Sequence, residues 1–175
     1  MTKPKPRKMG HLVLHVRDIR KSFEFYTEVV GLTLSDWIED KLVFLRCGAD
    51  HHDLALVQIP PDADNREDLY SVNRPGLEHF AYELGSLEEI EAAARHIQSK
   101  GVKIERGIGK HGPGENLFLV FKDPDNNNVE FYADMVQVTE ENPYDPSVWK
   151  DDVTAFDQWK FEKFLVDPPK GWGDN

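Results

Sequence analysis

His11, His79 and Glu130 each sit inside a short apolar stretch: Gly10-His11-Leu12-Val13-Leu14, Glu78-His79-Phe80 and Val129-Glu130-Phe131. Two imidazoles and one carboxylate form the donor set of an open Fe(II) site, because three protein ligands leave positions free for an exogenous chelator and a gas. The two histidine stretches are near-copies of one another, which marks an internal repeat. His15 would share a strand face with His11 and so competes for its role, but His11 has His79 as its repeat partner whereas His15 has Glu83. His96 falls in a polar helical stretch and reads as a surface group.

Short strands must carry these groups. Residues 11 to 16, HLVLHV, are rich in Val and Leu and of strand length. Asp18 then stands at an N-cap position before Ile19, Ser22, Phe23, Tyr26 and Val30, whose helical spacing predicts an amphipathic helix ended by Gly31. Strands follow over 32 to 37, 42 to 47 and 54 to 59. The same order recurs after a Pro/Asp/Asn-rich stretch, with a strand over 77 to 83 and a helix over 86 to 100. That helix is opened by the Ser86-Leu87-Glu88-Glu89 capping box and closed by Gly101. Strands over 102 to 106, 117 to 121 and 129 to 133 complete the second copy.

The predicted class is α+β: two tandem βαβββ modules pairing into a cupped mixed sheet, plus an aromatic-rich C-terminal arm. The chain divides into a basic tail (1–8), a first module (9–60), a linker (61–75), a second module (76–135) and the arm (136–175). One module alone leaves an apolar sheet face bare, so two must pair, within one chain or by exchange between two chains. Sequence leaves both arrangements open; a homodimer or higher homo-oligomer is the expected assembly. The arm carries Trp149, Phe156, Trp159, Phe161, Phe164 and Trp172, too many aromatics to stay solvated, and is expected to lay one short helix over the body.

Composition narrows the classes. At 175 residues and 39% hydrophobic content the chain can bury a core without covalent staples, and its single cysteine, Cys47, excludes an intrachain disulfide. No apolar run resembles a signal peptide or a membrane span, so the expected location is the cytoplasm, with no membrane partner. A formal charge of -11 argues against nucleic acid, since phosphate binding needs a concentrated basic face.

Aligning the repeats places His11 against His79, and Glu130 against Ala55. Four equivalent positions therefore hold His, His, Glu and Ala, and alanine cannot bind a metal. A slip of one residue would bring Leu54 or Leu56 to the blank place and leave that conclusion unchanged.

With these residues in place, the chain resembles the vicinal oxygen chelate superfamily and, within it, the type I extradiol ring-cleavage dioxygenases. The resemblance covers residues 9 to 135 through HLVLHVRDIRKSFEFYTEVVGL, HHDLALV, GLEHFAYEL and GKHGPGENLFLVFKDPDNNNVEFY; the second, with the KHGPGENLF run of the last, points to the dioxygenase branch. It implies Fe(II), with Mn(II) also fitting, held by His11, His79 and Glu130, and a catechol-type diol and O2 as substrates. It makes His52 the acid/base near bound oxygen and His111 a hydrogen-bond partner of substrate or oxygen. Arg106 matches a position that in some members meets a substrate carboxylate. Val120 stands where these enzymes usually carry a tyrosine that bonds a catechol oxygen, so the site there is apolar. Asn126 replaces the glycine of an Asp-Pro-Asp-Gly turn and tolerates the same left-handed backbone. Two other readings keep the fold: a glyoxalase-like lyase or epimerase, against which Ala55 counts, and a non-catalytic bleomycin-resistance-like binding protein, against which the three ligands count.

Overall fold

The computed structural model describes residues 7–60, 77–146, 148–170 and 172. The linker expected over 61–75 and all but the last two residues of the basic tail lie outside them. The chain forms two compact units, residues 1–67 and 68–175.

In the first unit, β1 (Leu12–Val16), α1 (Ile19–Glu28), β2 (Thr33–Ile38), β3 (Leu42–Arg46) and β4 (Leu54–Gln58) build a four-stranded sheet ordered β1-β4-β3-β2. β1 and β4 run parallel and the other pairs antiparallel. Leu14, Val16, Val43, Leu45, Leu54 and Leu56 are buried, and α1 packs on β3 and β4 with Ile19, Phe25 and Tyr26 turned inward. Alternation along β1 leaves Val13 and His15 exposed on the opposite face, and His11, just ahead of the strand, is exposed as well. Asp18 caps α1 by accepting from the amides of Arg20 and Lys21. The helix stops at Glu28, short of the predicted Val30, because Val29 and Val30 both donate to the Phe25 carbonyl in a closing turn before Gly31, whose φ is 90°.

The second unit repeats this order with β5 (Phe80–Glu83), α2 (Leu87–Ser99), β6 (Ile104–Lys110), β7 (Leu117–Lys122) and β8 (Asn128–Ala133), in a sheet ordered β5-β8-β7-β6. Ile90, Ala94 and Ile97 bury one face of α2, which packs on β6, β7 and β8. Ser86 accepts from the Glu89 amide, and the Glu89 carboxylate reaches back to the Gly85 amide at 2.8 Å. Asn126 adopts φ 72°, as the turn requires, while Asp123 fixes it by accepting from the amides of Asp125 and Asn127.

Two boundaries differ from expectation in a way that matters. His11 and His79 lie just ahead of β1 and β5 instead of within them, so their side chains are not bound to the strict alternation of the pleat.

β6 ends its sheet, and the chain beyond β8 supplies that edge with partners. A short helix, α3 (Val153–Phe156), is followed by Asp157, which is fully buried and accepts from the Lys110 amide at 2.7 Å and the Phe161 amide at 2.6 Å. The amides of Gln158 and Leu165 donate to the carbonyls of Lys110 and Gly107, and the Gly112 amide donates to Ala155. Gly112 permits this approach: a Cβ there would lie 2.6 Å from the Thr154 carbonyl oxygen. Among the described residues no helix is long and apolar enough to cross a membrane.

Candidate metal and acid-base site

Strand pairing settles the correspondence between repeats. Val13 pairs with Ala55, Ala55 with Phe44 and Phe44 with Asp36. In the second unit Ala81 pairs with Glu130, Glu130 with Val120 and Val120 with Arg106. Directly paired residues share a sheet face, so the two rows match position by position, and Ala55 stands where the other repeat has Glu130 without any slip. His11 and His79 occupy equivalent positions, two residues ahead of Val13 and Ala81.

In the second unit two of the three expected ligands meet: His79 Nε2 lies 3.7 Å from Glu130 Oε2. Glu130 is only 5% exposed, and its carboxylate receives no hydrogen bond among the described residues. Burial pushes its carboxyl above the usual range, while the charges of His79 and Arg106 pull the other way. The other nitrogen of His79, Nδ1, is hydrogen-bonded to the Glu78 carboxylate. A carboxylate accepts only, so Nδ1 carries a proton and Nε2 is the nitrogen turned toward Glu130. Glu78 is held in turn by Arg106 Nη2 at 2.9 Å, and its carbonyl accepts from Asn128 Nδ2 at 2.9 Å. Burial works to raise the Glu78 carboxyl, but the bonds and charges of His79 and Arg106 hold it below the ordinary value.

The donor chemistry fits a divalent ion. Nitrogen and oxygen ligands about 2.1 Å from one ion stand roughly 3.0 to 3.4 Å apart, a few tenths closer than this pair. Among the described residues no cluster of three or more His, Cys, Asp and Glu able to hold a metal forms, and the third expected ligand, His11, belongs to the first unit.

His111 follows β6. Its Nδ1 donates to the Phe156 carbonyl at 2.8 Å, and its ring stacks on Phe118 with centroids 4.0 Å apart. Burial lowers its pKa, opposed by the carbonyl bond, so the ring is neutral with Nε2 free to accept. Val120 is buried directly beside Glu130 in the register. Arg106 lies in the same row, engaged with Glu78 and 5.7 Å from the centre of the Trp172 ring.

In the first unit the bond from the Leu12 amide to the Asp53 carbonyl draws the histidine pair alongside His11. The rings of His11 and His52 lie 4.7 Å apart, with Phe44 4.9 Å from His52. His51, which reads from sequence as part of a polar turn, joins them: its Nε2 meets Asp36 Oδ2 at 2.8 Å and its Nδ1 meets His52 Nδ1 at 3.1 Å. The Asp36 carboxylate can only accept, so His51 carries a proton on Nε2, and its Nδ1 and that of His52 share one hydrogen bond. His15 and His96 are exposed on β1 and α2. Sequence reasoning missed Glu78, Asp36 and Asp157; the one local signal was a carboxylate next in sequence to His79.

The fold and these paired rows agree with the comparisons to known proteins. The model of the Glyoxalase/Bleomycin resistance protein/Dioxygenase superfamily matches residues 8–131, and the chain belongs to that superfamily. It is similar to Metapyrocatechase 2 of Cupriavidus necator, with 29% identity over 132 residues that cover 74% of this chain and 37% of that protein. It is also similar to Biphenyl-2,3-diol 1,2-dioxygenase of Paraburkholderia xenovorans, 28% identical over 70% of this chain and 40% of that protein. The chain thus spans about two fifths of the length of these relatives. A solved variant of homoprotocatechuate 2,3-dioxygenase from B. fuscum shares the fold with TM-score 0.68, at 18% identity, over 90% of this chain and 81% of that one.

Proposed function

We propose that this chain belongs to an extradiol dioxygenase, which opens the ring of a catechol-type aromatic diol with O2 at an Fe(II) held by His11, His79 and Glu130. Mn(II) suits the same donors. The observation that carries the reading is Nε2 of His79 facing a buried carboxylate, Glu130, whose repeat counterpart is Ala55. The named activities of the relatives support the same chemistry, and the blank fourth position favours it over a glyoxalase-like site that would fill that place with another donor.

When bound, such an ion supplies Lewis acidity, lowering the pKa of two adjacent hydroxyls, and a common anchor for diol and O2. Glu130 provides the only negative charge among the three ligands, which leaves net positive charge to favour the deprotonated diol. His111, neutral with Nε2 free, accepts the hydrogen bond of a ring hydroxyl. His52, beside His11 and hydrogen-bonded to His51, takes up a proton and returns it as the ring opens. Val120 gives an apolar wall in place of a hydroxyl donor; losing one such bond costs about 1 to 3 kcal/mol, roughly ten- to a hundredfold in rate, which activity survives.

The test is anaerobic purification, loading with Fe(II), and a panel of catechols with an oxygen electrode and absorbance. The expected result is one O2 consumed per diol and a yellow ring-opened product. Product without O2 uptake would point to an isomerase, and diol binding without turnover to a binding protein; either ends the dioxygenase reading.

A further inference from the structure

We propose that Glu78 is a positioning residue that readies His79 for a metal ion; this rests on the ligand reading above. Neighbouring residues within a strand point to opposite faces. Glu78 and His79 can meet only because both lie ahead of β5, where the backbone is free of the pleat. Their contact sets which nitrogen of His79 is free. A free imidazole carries its proton mainly on Nε2, the nitrogen that here faces Glu130 and must be bare to bind a cation. The Glu78 carboxylate accepts a hydrogen bond from Nδ1–H instead, which keeps the proton on that nitrogen, and its charge makes Nε2 a stronger donor.

Glu78 is itself anchored from two strands. Arg106 of β6 donates to its Oε1 at 2.9 Å, and Asn128 of β8 donates to its carbonyl at 2.9 Å and to Oε1 at 3.4 Å. Arg106 is thereby occupied with the support of His79, a different task from the substrate contact that its position suggests by resemblance. The arrangement is absent from the first repeat, where the residue before His11 is Gly10. The two histidines are therefore unequal, and His79 is the one prepared in advance.

The experiment uses the full chain as wild type, Glu78→Ala, Glu78→Gln and Glu130→Ala. Long-range 1H–15N spectra of the metal-free proteins read the His79 tautomer, and anaerobic Fe(II) titration reads affinity. Wild type is expected in the Nδ1–H form. Glu78→Ala should shift His79 toward Nε2–H and weaken Fe(II) binding about 10- to 100-fold. Glu78→Gln, which keeps an acceptor without charge, should retain the tautomer and lose less affinity. Because 58% of the Glu78 side chain is exposed, these variants should fold as wild type does. An unchanged tautomer, or wild-type affinity in Glu78→Ala, overturns the proposal while the ligand reading stands. Equal Fe(II) uptake by wild type and Glu130→Ala overturns the ligand reading, and the proposal with it.

Discussion

Glu130 and His79 carry the chemistry at the scale of single residues. A carboxylate only 5% exposed is costly to keep charged unless a cation balances it, so its burial is tied to what it binds. His79→Ala and Glu130→Ala should each lose both bound iron and O2 uptake, as metal analysis beside the oxygen electrode will show; full activity in either variant refutes the assignment. His52→Asn should keep the iron and the diol but slow turnover at least tenfold, since proton transfer by a placed side chain contributes about 10² to 10⁴. His111 makes a prediction about pH. Its folded pKa lies below the free value of about 6.5, so protonation favours the unfolded chain. Its contribution to stability is complete above that value and is lost as pH falls from there through the depressed folded value. Urea unfolding at pH 7.5 and 5.5 should show a drop in wild type that is smaller in His111→Asn.

Among the elements, the helices and strands follow local rules, and the sequence displays them. Asp18, Ser86 and Gly101 mark helix ends because a cap is satisfied by residues within one turn. The strands show through Val and Leu patterning. What the pattern could not show is that His11 and His79 lie just ahead of their strands, because they are set by one amide bond or one side-chain contact and not by periodicity. The edge of β6 is the clearest case of a partner arriving from far along the chain. Asp157 satisfies amides of Lys110, Trp159 and Phe161 from a fully buried position. Asp157→Ala should therefore destabilise by roughly 2 to 4 kcal/mol, as buried donors lose their acceptor. Equilibrium urea unfolding measures it, and a loss under 1 kcal/mol would show that water replaces the carboxylate.

For the whole molecule, an ion that binds only the folded chain stabilises it by mass action. Fe(II) or Mn(II) at about 100 times its dissociation constant should add about 2.7 kcal/mol, raising the midpoint of thermal unfolding, and a chelator should reverse the shift. Glu130→Ala should show neither change. An unaltered midpoint in wild type at saturating metal would mean that no folded-state site exists.

The sequence by itself determined the repeated order of elements, the donor types at His11, His79 and Glu130, and the blank at Ala55. These are local patterns, legible wherever periodicity and residue chemistry act over a few neighbours. Tertiary structure alone decided that Ala55 and Glu130 coincide without a slip, because register is set by pairing across strands. It also decided the partners that fix each imidazole: Glu78 with Arg106 behind His79, Asp36 with His51 behind His52, and the Phe156 carbonyl behind His111. Glu78 with His79 and His51 with His52 are sequence neighbours, but Arg106, Asp36 and Phe156 are brought to them by sheet pairing and by the return of the arm, and hydrogen bonds between such remote groups leave no periodic trace in the order of residues.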